Sequence, residues 1–244
     1  MDKNDNVLWQ KKIEIPVRQM ANVVSEFENI TVLDTDIKGE AFQSFLGAYF
    51  RGDAGQFFTP DPIKKLVVDM LAPEPDEVVL DPACGSSGFL AFTVNYFRDL
   101  VKKQKGWLDK GGNPIKDAEL TPDQREILRG KIREYATTHI KGIDFDNDLT
   151  KVAKMFMVMI DDGHTGIWTS NSLISFSELS KNTRGTIGRG SVNIIMTNPP
   201  FGSKGKVSDQ NILADYDFGY SWKKDKETGQ FKKDKLLAGK KGGG

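Results

Sequence analysis

Short apolar runs alternate with amphipathic segments between residues 77 and 197, and this alternation constrains the fold more than any other feature. Residues 77–81 contain the apolar run Val-Val-Leu and end in an acid, which predicts a buried strand. Further strands are predicted over residues 140–145, 167–173 and 192–197. Because helical segments separate these strands, the sequence predicts an α/β fold with a doubly wound, mostly parallel sheet.

Three of the intervening segments have apolar residues at the three- and four-residue spacing of amphipathic helices. The first is predicted to be capped by Thr59 or Asp61, and the last to stop at Gly163. A further helix is predicted from Thr121 to about Thr137, because a Thr-Pro pair starts it. The apolar positions are Ile63, Leu66, Val67, Met70 and Leu71 in the first segment, Leu90, Val94, Phe97 and Val101 in the second, and Val152, Met155, Phe156 and Met159 in the last.

The chain is expected to divide into three regions. Residues 1–50 are interpreted as the end of an N-terminal helical region, because one apolar stripe recurs there at helical spacing. Residues 51–205 carry the strands and are predicted to form the core domain, with residues 102–117 as a polar surface insertion. Residues 206–244 are rich in lysine and glycine and are predicted to be loop or disordered tail.

Composition excludes several classes of function. The chain has 34 basic and 34 acidic residues, so nucleic acid would have to be held by a local patch or by a partner. A single cysteine, Cys84, excludes an internal disulfide, and His139 and His164 lack metal-ligand spacing, so no metal site is expected. The longest apolar stretch is far shorter than a membrane span and the N-terminus lacks a secretion signal, which predicts a cytoplasmic protein without membrane contact.

The turn after the first predicted strand carries groups that suit a ligand. Ligands of open parallel sheets bind beyond the carboxyl ends of the strands, so residues at those ends are the most informative. Asp81 supplies a carboxylate, Gly85 and Gly88 allow close approach of backbone, and the helix start offers free amides. The turn matches neither the phosphate loop nor the three-glycine dinucleotide fingerprint. A glycine turn that serves packing alone is the other interpretation.

Polar residues also follow the second and third predicted strands. Asp144 lies where a carboxylate could accept hydrogen bonds from the two hydroxyls of a ribose, although acids are common at strand ends. Asn171 could hydrogen-bond the edge of an adenine ring. Asparagine is also ordinary in turns, so this position alone does not indicate a ligand.

The fourth predicted strand ends in Asn198, Pro199, Pro200 and Phe201. Neither proline can continue a central strand, because each lacks an N–H and fixes its backbone. The chain must therefore leave the sheet here in a rigid conformation. The carbonyl oxygens of this turn are then not used in hydrogen bonds between strands. A planar base could stack on Phe201 while Asn198 and the Pro199 carbonyl accept hydrogen bonds from its amino group. A turn with an incidental aromatic residue is the alternative.

Taken together, these motifs resemble those of amino-group DNA methyltransferases, and specifically of the modification (M) subunit of type I restriction–modification systems. In chain order they are QFFTP, DPACGSSGF, GIDFDND, NSL and NPPF. The resemblance covers about residues 36–205, including DIKGEAF before the first motif. It implies the Rossmann-like fold of S-adenosylmethionine-dependent methyltransferases. The motif order resembles the gamma class, and NPPF implies methylation of adenine N6, whereas Ser-Pro-Pro-Tyr would imply cytosine N4.

The resemblance also implies a role for each matching residue. The methionine end of S-adenosyl-L-methionine would be lined by Gln56, Phe57, Phe58, Thr59, Pro60 and Asp61. The backbone cradle of this cofactor would be formed by Asp81, Gly85, Ser86, Ser87 and Gly88. Asp144 would bind the ribose, and Asn171 with Leu173 the adenine ring, where the family often has Asp in place of Asn171. The target base would be held by the catalytic residues Asn198, Pro199, Pro200 and Phe201.

The same resemblance implies partners. The substrate would be double-stranded DNA, with the target adenine flipped out of the duplex, and the partners would be a specificity subunit and a restriction subunit. Full M subunits are longer at both ends, so the sheet is expected to be incomplete, with an exposed apolar edge at or beside the fourth strand. Without the specificity subunit, we expect the chain to bind the cofactor without methylating duplex DNA.

Two other functions stay open at this point. A methyltransferase that acts on a glutamine amide in protein also uses an Asn-Pro-Pro-aromatic turn, although QFFTP and DIKGEAF favour DNA. A non-catalytic cofactor-binding fragment would retain the same residues.

Overall fold

The computed structural model describes residues 59–160, 166–200, 207 and 209–237. Its helices are α1 (Asp61–Leu71), α2 (Gly88–Gln104), α3 (Pro122–His139), α4 (Asn147–Met159), α5 (Phe176–Asn182) and α6 (Gln210–Ala214). Its strands are β1 (Val79–Asp81), β2 (Ile140–Asp144), β3 (Ile167–Thr169), β4 (Ile194–Ile195), β5 (Tyr220–Lys224) and β6 (Phe231–Leu236).

The first four strands form one parallel sheet in the order β3-β2-β1-β4. Val79 of β1 pairs with Ile140 of β2 and with Ile194 of β4, and Gly142 of β2 pairs with Ile167 of β3. All four predicted strands are present, and each is shorter than its prediction. The order places β1 and β2 at the centre, so the two motifs that follow them lie side by side at one end of the sheet.

Helices cover both faces of the two central strands, β1 and β2. Alternate residues of a strand point to opposite faces, and Val79 and Ile140 point into a core that also contains buried residues of α2, α3 and α4. Leu80 and Ile143 point to the opposite face and pack with Leu179 of α5. The prediction of a doubly wound α/β fold is therefore confirmed.

Helices α2 and α3 form where the sequence predicts them. The predicted apolar face of α2 is buried throughout, at Leu90, Val94, Phe97 and Val101. Thr121 caps α3 in a reciprocal pair with Gln124, in which each side chain accepts a hydrogen bond from the other residue's backbone N–H. The helix runs to His139, slightly beyond the predicted end.

Of the predicted apolar stripe of helix α1, only Val67 packs against the core. Lys64 and Val68 are buried, whereas Ile63, Leu66, Met70 and Leu71 are exposed. The aliphatic stem of Lys64 takes the place of an apolar core residue, as long basic side chains can. The predicted cap is also wrong, because Pro60 is the N-cap residue and no side chain caps the helix.

Helix α4 matches its predicted apolar face only in part. Phe156 is buried in the core, whereas Met155 is exposed. The predicted stop at Gly163 lies outside the described residues.

The predicted surface insertion is attached to the core by two apolar side chains and one acidic residue. Most of residues 103–113 are exposed, but Trp107 and Ile115 pack against the core. Asp117 forms ion pairs with Arg98 and Lys102, two buried residues of α2. These pairs attach the segment that leads into α3 to the helix that follows the glycine turn.

The prediction of loop or disorder over residues 206–244 is wrong for helix α6 and for residues 220–236. There β5 and β6 form an antiparallel hairpin. Asp225 accepts backbone hydrogen bonds from Glu227 and Thr228 in the connecting turn, which Gly229 completes in the left-handed region, with φ of 69°. Two ion pairs of the hairpin, Lys223–Asp234 and Lys232–Asp225, give its lysines specific partners, which composition alone does not reveal.

Within the described part of the chain, β4 lies at one edge of the sheet, and Ile195 on it is 61% exposed. The expected incompleteness of the sheet stays a prediction. No helix of the described residues is long and apolar enough to cross a membrane. The predicted N-terminal helical region, residues 1–50, lies outside the described residues.

Candidate functional site

A cavity opens at the carboxyl end of β1, where the predicted glycine turn leads into α2. Four segments line it: the start of α1, the end of β1, the turn with the start of α2, and the chain that follows β4. The lining residues are Thr59, Lys64, Asp81, Ala83, Cys84, Gly85, Ser86, Gly88, Phe89 and Asn198. The cavity therefore brings together residues of three motifs: Thr59 of QFFTP, several residues of DPACGSSGF, and Asn198 of NPPF. Thr59 and Asn198 are 139 positions apart in sequence.

The glycine turn is held by backbone hydrogen bonds at both of its ends. The Ala83 N–H donates to Asp81 Oδ1 over 3.1 Å, and the Ser87 N–H donates to the Cys84 carbonyl over 2.7 Å. Gly85 and Ser87 have φ of 52° and 67°, in the left-handed region. Ser87 is the N-cap of α2 but makes no side-chain cap hydrogen bond, so the first-turn amides of α2 are free of a side-chain cap.

Asp81 is the buried acid of this site. Burial raises the pKa of its carboxyl to about 7, against the lowering by the Thr197 side chain and the Ala83 N–H, and the nearby Asp144 carboxylate adds to the rise. Cys84 lies beside it in the turn, and burial raises the pKa of this thiol as well. The thiol is therefore held in its neutral form and acts as a small packing group rather than as a nucleophile.

We expect Asp81 to make folding stability fall as the pH rises from about 4 to about 7. The folded carboxyl keeps its proton up to about pH 7, whereas the ordinary carboxyl of the unfolded chain loses it near 3.8. The folded state binds more protons in this window, so a rise in pH favours unfolding. Urea unfolding of the wild type and of Asp81→Asn across this window measures the contribution. Identical pH slopes for the two chains would contradict it.

Asp144 lies next to the glycine turn, although it is not one of the residues that line the cavity. Its Oδ2 accepts the Gly85 N–H over 2.8 Å, and its Oδ1 accepts the Asp146 N–H over 2.9 Å. Each oxygen retains a lone pair that can accept a ligand hydroxyl. Asp146 instead caps α4 by accepting the N–H groups of Asp148 and Leu149. The two acids thus have different positions, and only Asp144 contacts the turn.

Asn171 and Leu173 do not line the cavity. The Leu173 N–H donates to Asn171 Oδ1 over 2.9 Å, so the asparagine side chain closes a local turn after β3. The predicted contact of Asn171 and Leu173 with the adenine ring of the cofactor stays a prediction.

Asn198 reaches the cavity from the chain that follows β4. Its Nδ2 donates a hydrogen bond to Thr59 Oγ1 over 2.9 Å. This bond orients the amide and leaves Asn198 Oδ1 available to accept from a ligand. Pro199 and Pro200, which follow it, are exposed.

The remaining predicted residues fall into two groups. Pro60 is exposed at the start of α1, where Asp61 forms an ion pair with Lys64. Four predicted residues lie outside the described residues: Gln56, Phe57, Phe58 and Phe201.

Two residues that line the cavity, Lys64 and Phe89, were not among the predicted site residues. Lys64 was missed because the apolar pattern of α1 places it on the polar side of the helix.

Comparisons with known proteins agree with the motifs. The model of the N-6 DNA methylase family matches residues 33–232. The EcoKI type I restriction enzyme methylase subunit of Escherichia coli K12 is 32% identical over 159 residues, which are 63% of this chain and 24% of that subunit. The type II restriction enzyme and methyltransferase RM.BcgI of Heyndrickxia coagulans is 25% identical over 76% of this chain and 24% of that protein. The chain thus spans about a quarter of the length of these curated relatives.

A solved structure shows the same fold. A Vibrio vulnificus YJ016 chain, assigned as a modification subunit of a type I restriction enzyme, superposes with a TM-score of 0.55 at 21% identity. The superposition covers 81% of this chain and 35% of that chain. The methyltransferase fold implied by the motifs is therefore confirmed.

Proposed function

This chain belongs to the N-6 DNA methylase family, and we propose that it transfers a methyl group from S-adenosylmethionine to adenine N6 in DNA. One observation carries the proposal. Asn198 of the NPPF motif, held by Thr59, faces the same cavity as the glycine turn after β1. A target amino group and a cofactor methyl group would therefore meet in one place.

The residues around the glycine turn fit the cofactor. An added side chain at Gly85 would meet nothing within 4 Å, so the turn presents bare backbone to open space. The Asp144 carboxylate next to Gly85 would bind the ribose hydroxyls, and the turn would pass along the methionine portion. The cofactor supplies a methyl group that its sulfonium already activates, so the chain contributes positioning.

The NPPF motif would hold the target adenine. Asn198 Oδ1 and the Pro199 carbonyl would accept hydrogen bonds from the two N–H groups of the N6 amino group, which favours a more tetrahedral, electron-rich nitrogen. Because prolines fix the backbone, the two acceptors would be in place before the base arrives. The base must leave the duplex to reach them, at a cost of a few kcal/mol.

We further propose that the chain acts as the methylase subunit of a type I system, with specificity and restriction subunits as partners. The name of the EcoKI relative supports this assignment. The equal numbers of acidic and basic residues also support this assignment. A chain without net positive charge has no general affinity for the phosphates of DNA, so a partner must supply it. Recognition of the DNA sequence would then belong to the specificity subunit.

The proposed function is tested by supplying labelled S-adenosylmethionine with either unmethylated duplex DNA or a glutamine-containing peptide. We expect label in DNA when the specificity subunit is present, and none in the peptide. Label in the peptide, or no label in DNA with the complete set of subunits, would contradict the proposal.

Replacing Asp144 with alanine is expected to weaken S-adenosylmethionine binding by about 1–3 kcal/mol, because charged hydrogen bonds to the ribose are lost. Calorimetry on the purified chain measures this. Asp146→Ala is the matched control, since it removes a nearby carboxylate that caps α4. It should lower stability by about 1 kcal/mol without the loss of affinity. If Asp146→Ala weakens binding of S-adenosylmethionine and Asp144→Ala does not, Asp146 rather than Asp144 binds the ribose.

A further inference from the structure

Lys64 is a buried cation at the wall of the cofactor cavity. It lies on α1 and is 6% exposed, although lysine is seldom buried to this extent. Its ammonium pairs with Asp61 at 2.5 Å and lies 5.0 Å from the centre of the Phe92 ring. The side chain lines the cavity together with Thr59 and the glycine turn.

The ammonium also lies against the first residue of α2. A Cβ atom added to Gly88 would be 3.2 Å from Lys64 Nζ and 2.9 Å from Lys64 Cδ. The lysine therefore occupies the space that the absent side chain of Gly88 leaves open. Any larger residue at this position would displace the cation.

This position is unfavourable for a cation unless an anion accompanies it. The N-terminal end of a helix carries partial positive charge, and α2 lacks a side-chain cap there. Asp61 offsets part of the lysine charge from the solvent side, where its carboxyl is 56% exposed. The cavity side has the ammonium and the helix start together, and such a pair of positive groups is suited to a carboxylate.

We infer that Lys64 binds the α-carboxylate of the methionine portion of S-adenosylmethionine. This inference rests on the proposed function, because it takes that cofactor as the occupant of the cavity. The first-turn amides of α2 would hold the same carboxylate from the other side. Asp61 positions the ammonium and does not touch the ligand carboxylate.

The test compares S-adenosylmethionine with its decarboxylated analogue, which differs only in the group that Lys64 is inferred to bind. Calorimetry on the full chain gives the dissociation constants of both ligands for the wild type, Lys64→Met and Lys65→Met. Methionine keeps the unbranched stem that fills the core. Lys65 is the matched control, since it neighbours Lys64 but is exposed and pairs with Asp69.

We expect the wild type and Lys65→Met to prefer S-adenosylmethionine over the analogue. Lys64→Met should lose about tenfold to a hundredfold of its affinity for S-adenosylmethionine, as expected for a lost charged hydrogen bond, and should lose little affinity for the analogue. The ratio of the two constants is therefore the readout. A variant that retains the wild-type ratio would overturn the inference, whether or not its absolute affinities fall.

Two further outcomes are distinguishable. If Lys64→Met fails to fold, as judged by circular dichroism, Lys64→Gln provides the same ratio with a polar side chain. If the wild type binds neither ligand while folded, the proposed function fails and the inference fails with it. If the wild type binds both ligands with equal affinity, the inferred role of Lys64 is wrong, whereas the proposed function still stands.

Discussion

Replacing Asn198 with alanine should reduce methyl transfer to duplex DNA by about a hundredfold to a thousandfold, the usual effect of removing one preorganised hydrogen-bonding group. Asn198 Oδ1 is the proposed acceptor for the adenine amino group, and the bond from Asn198 Nδ2 to Thr59 holds this amide at the wall of the cavity. The affinity for S-adenosylmethionine should be nearly unchanged, because the base rather than the cofactor is the proposed contact. Single-turnover transfer and calorimetry measure the two quantities separately.

Asn171→Ala is the matched control for this prediction. Asn171 is also an asparagine after a strand, but it closes a local turn and does not line the cavity. Its replacement should leave the transfer rate within about threefold of the wild type, as expected when no transition-state contact is removed. Loss of cofactor affinity in Asn198→Ala as large as its loss of rate would show that Asn198 binds the cofactor instead of the base.

The second large effect is expected at Asp117. Replacement by alanine should lower the free energy of unfolding by about 3–5 kcal/mol, because it removes the partner of two buried cations. Arg98 and Lys102 have side chains only 4% and 5% exposed, and Lys102 Nζ lies 2.6 Å from Asp117 Oδ1. Arg98 also donates to the Ile160 carbonyl over 3.1 Å, so it cannot leave without breaking that bond. Urea unfolding measures the loss.

The control for Asp117 is the exposed pair on α1. Asp69→Ala removes the partner of Lys65, where the side chains are 46% and 66% exposed, and should cost at most about 1 kcal/mol. Replacing Arg98, Lys102 and Asp117 together by apolar residues should recover much of the lost stability, since no buried charge is then left unpaired. Equal losses from Asp69→Ala and Asp117→Ala would contradict this account of the insertion.

The ion pairs of Asp117 with Arg98 and Lys102 also make the free energy of unfolding depend on pH. Burial raises the pKa of this carboxyl, but Arg98 and Lys102 outweigh burial and hold the pKa below its usual range. The folded state therefore releases this proton more readily than the unfolded chain does. Its contribution to stability is present above the ordinary carboxyl pKa and is lost as the pH falls through the folded value.

Much of the fold follows from local patterns. The strands and helices α2 and α3 could be predicted because apolar spacing, the Thr-Pro start of α3 and the glycine turn all favour the same structure. The positions of Asp81 and Asp144 could also be predicted, since the carboxyl ends of adjacent parallel strands meet at one end of a sheet.

Other features depend on contacts that no local pattern contains. Lys64 is buried because Gly88, on another helix, leaves room for its stem, and the spacing of apolar residues on α1 does not include Lys64 in the buried stripe. The β5–β6 hairpin is held by antiparallel backbone pairing and by the turn at Asp225, whereas composition indicated a loop. At Asn171 the side chain accepts a hydrogen bond within its own turn, and its predicted contact with the adenine ring of the cofactor stays a prediction.

The measurement that tests the central claim most directly is mass spectrometry of nucleosides from digested duplex DNA. The unmethylated DNA is first incubated with S-adenosylmethionine, this chain and its specificity subunit, with Asn198→Ala in a parallel reaction. The account predicts N6-methyladenine as the methylated nucleobase with the wild type and a sharp decrease with Asn198→Ala. Methylation at cytosine N4, or equal N6-methyladenine from both chains, would contradict it.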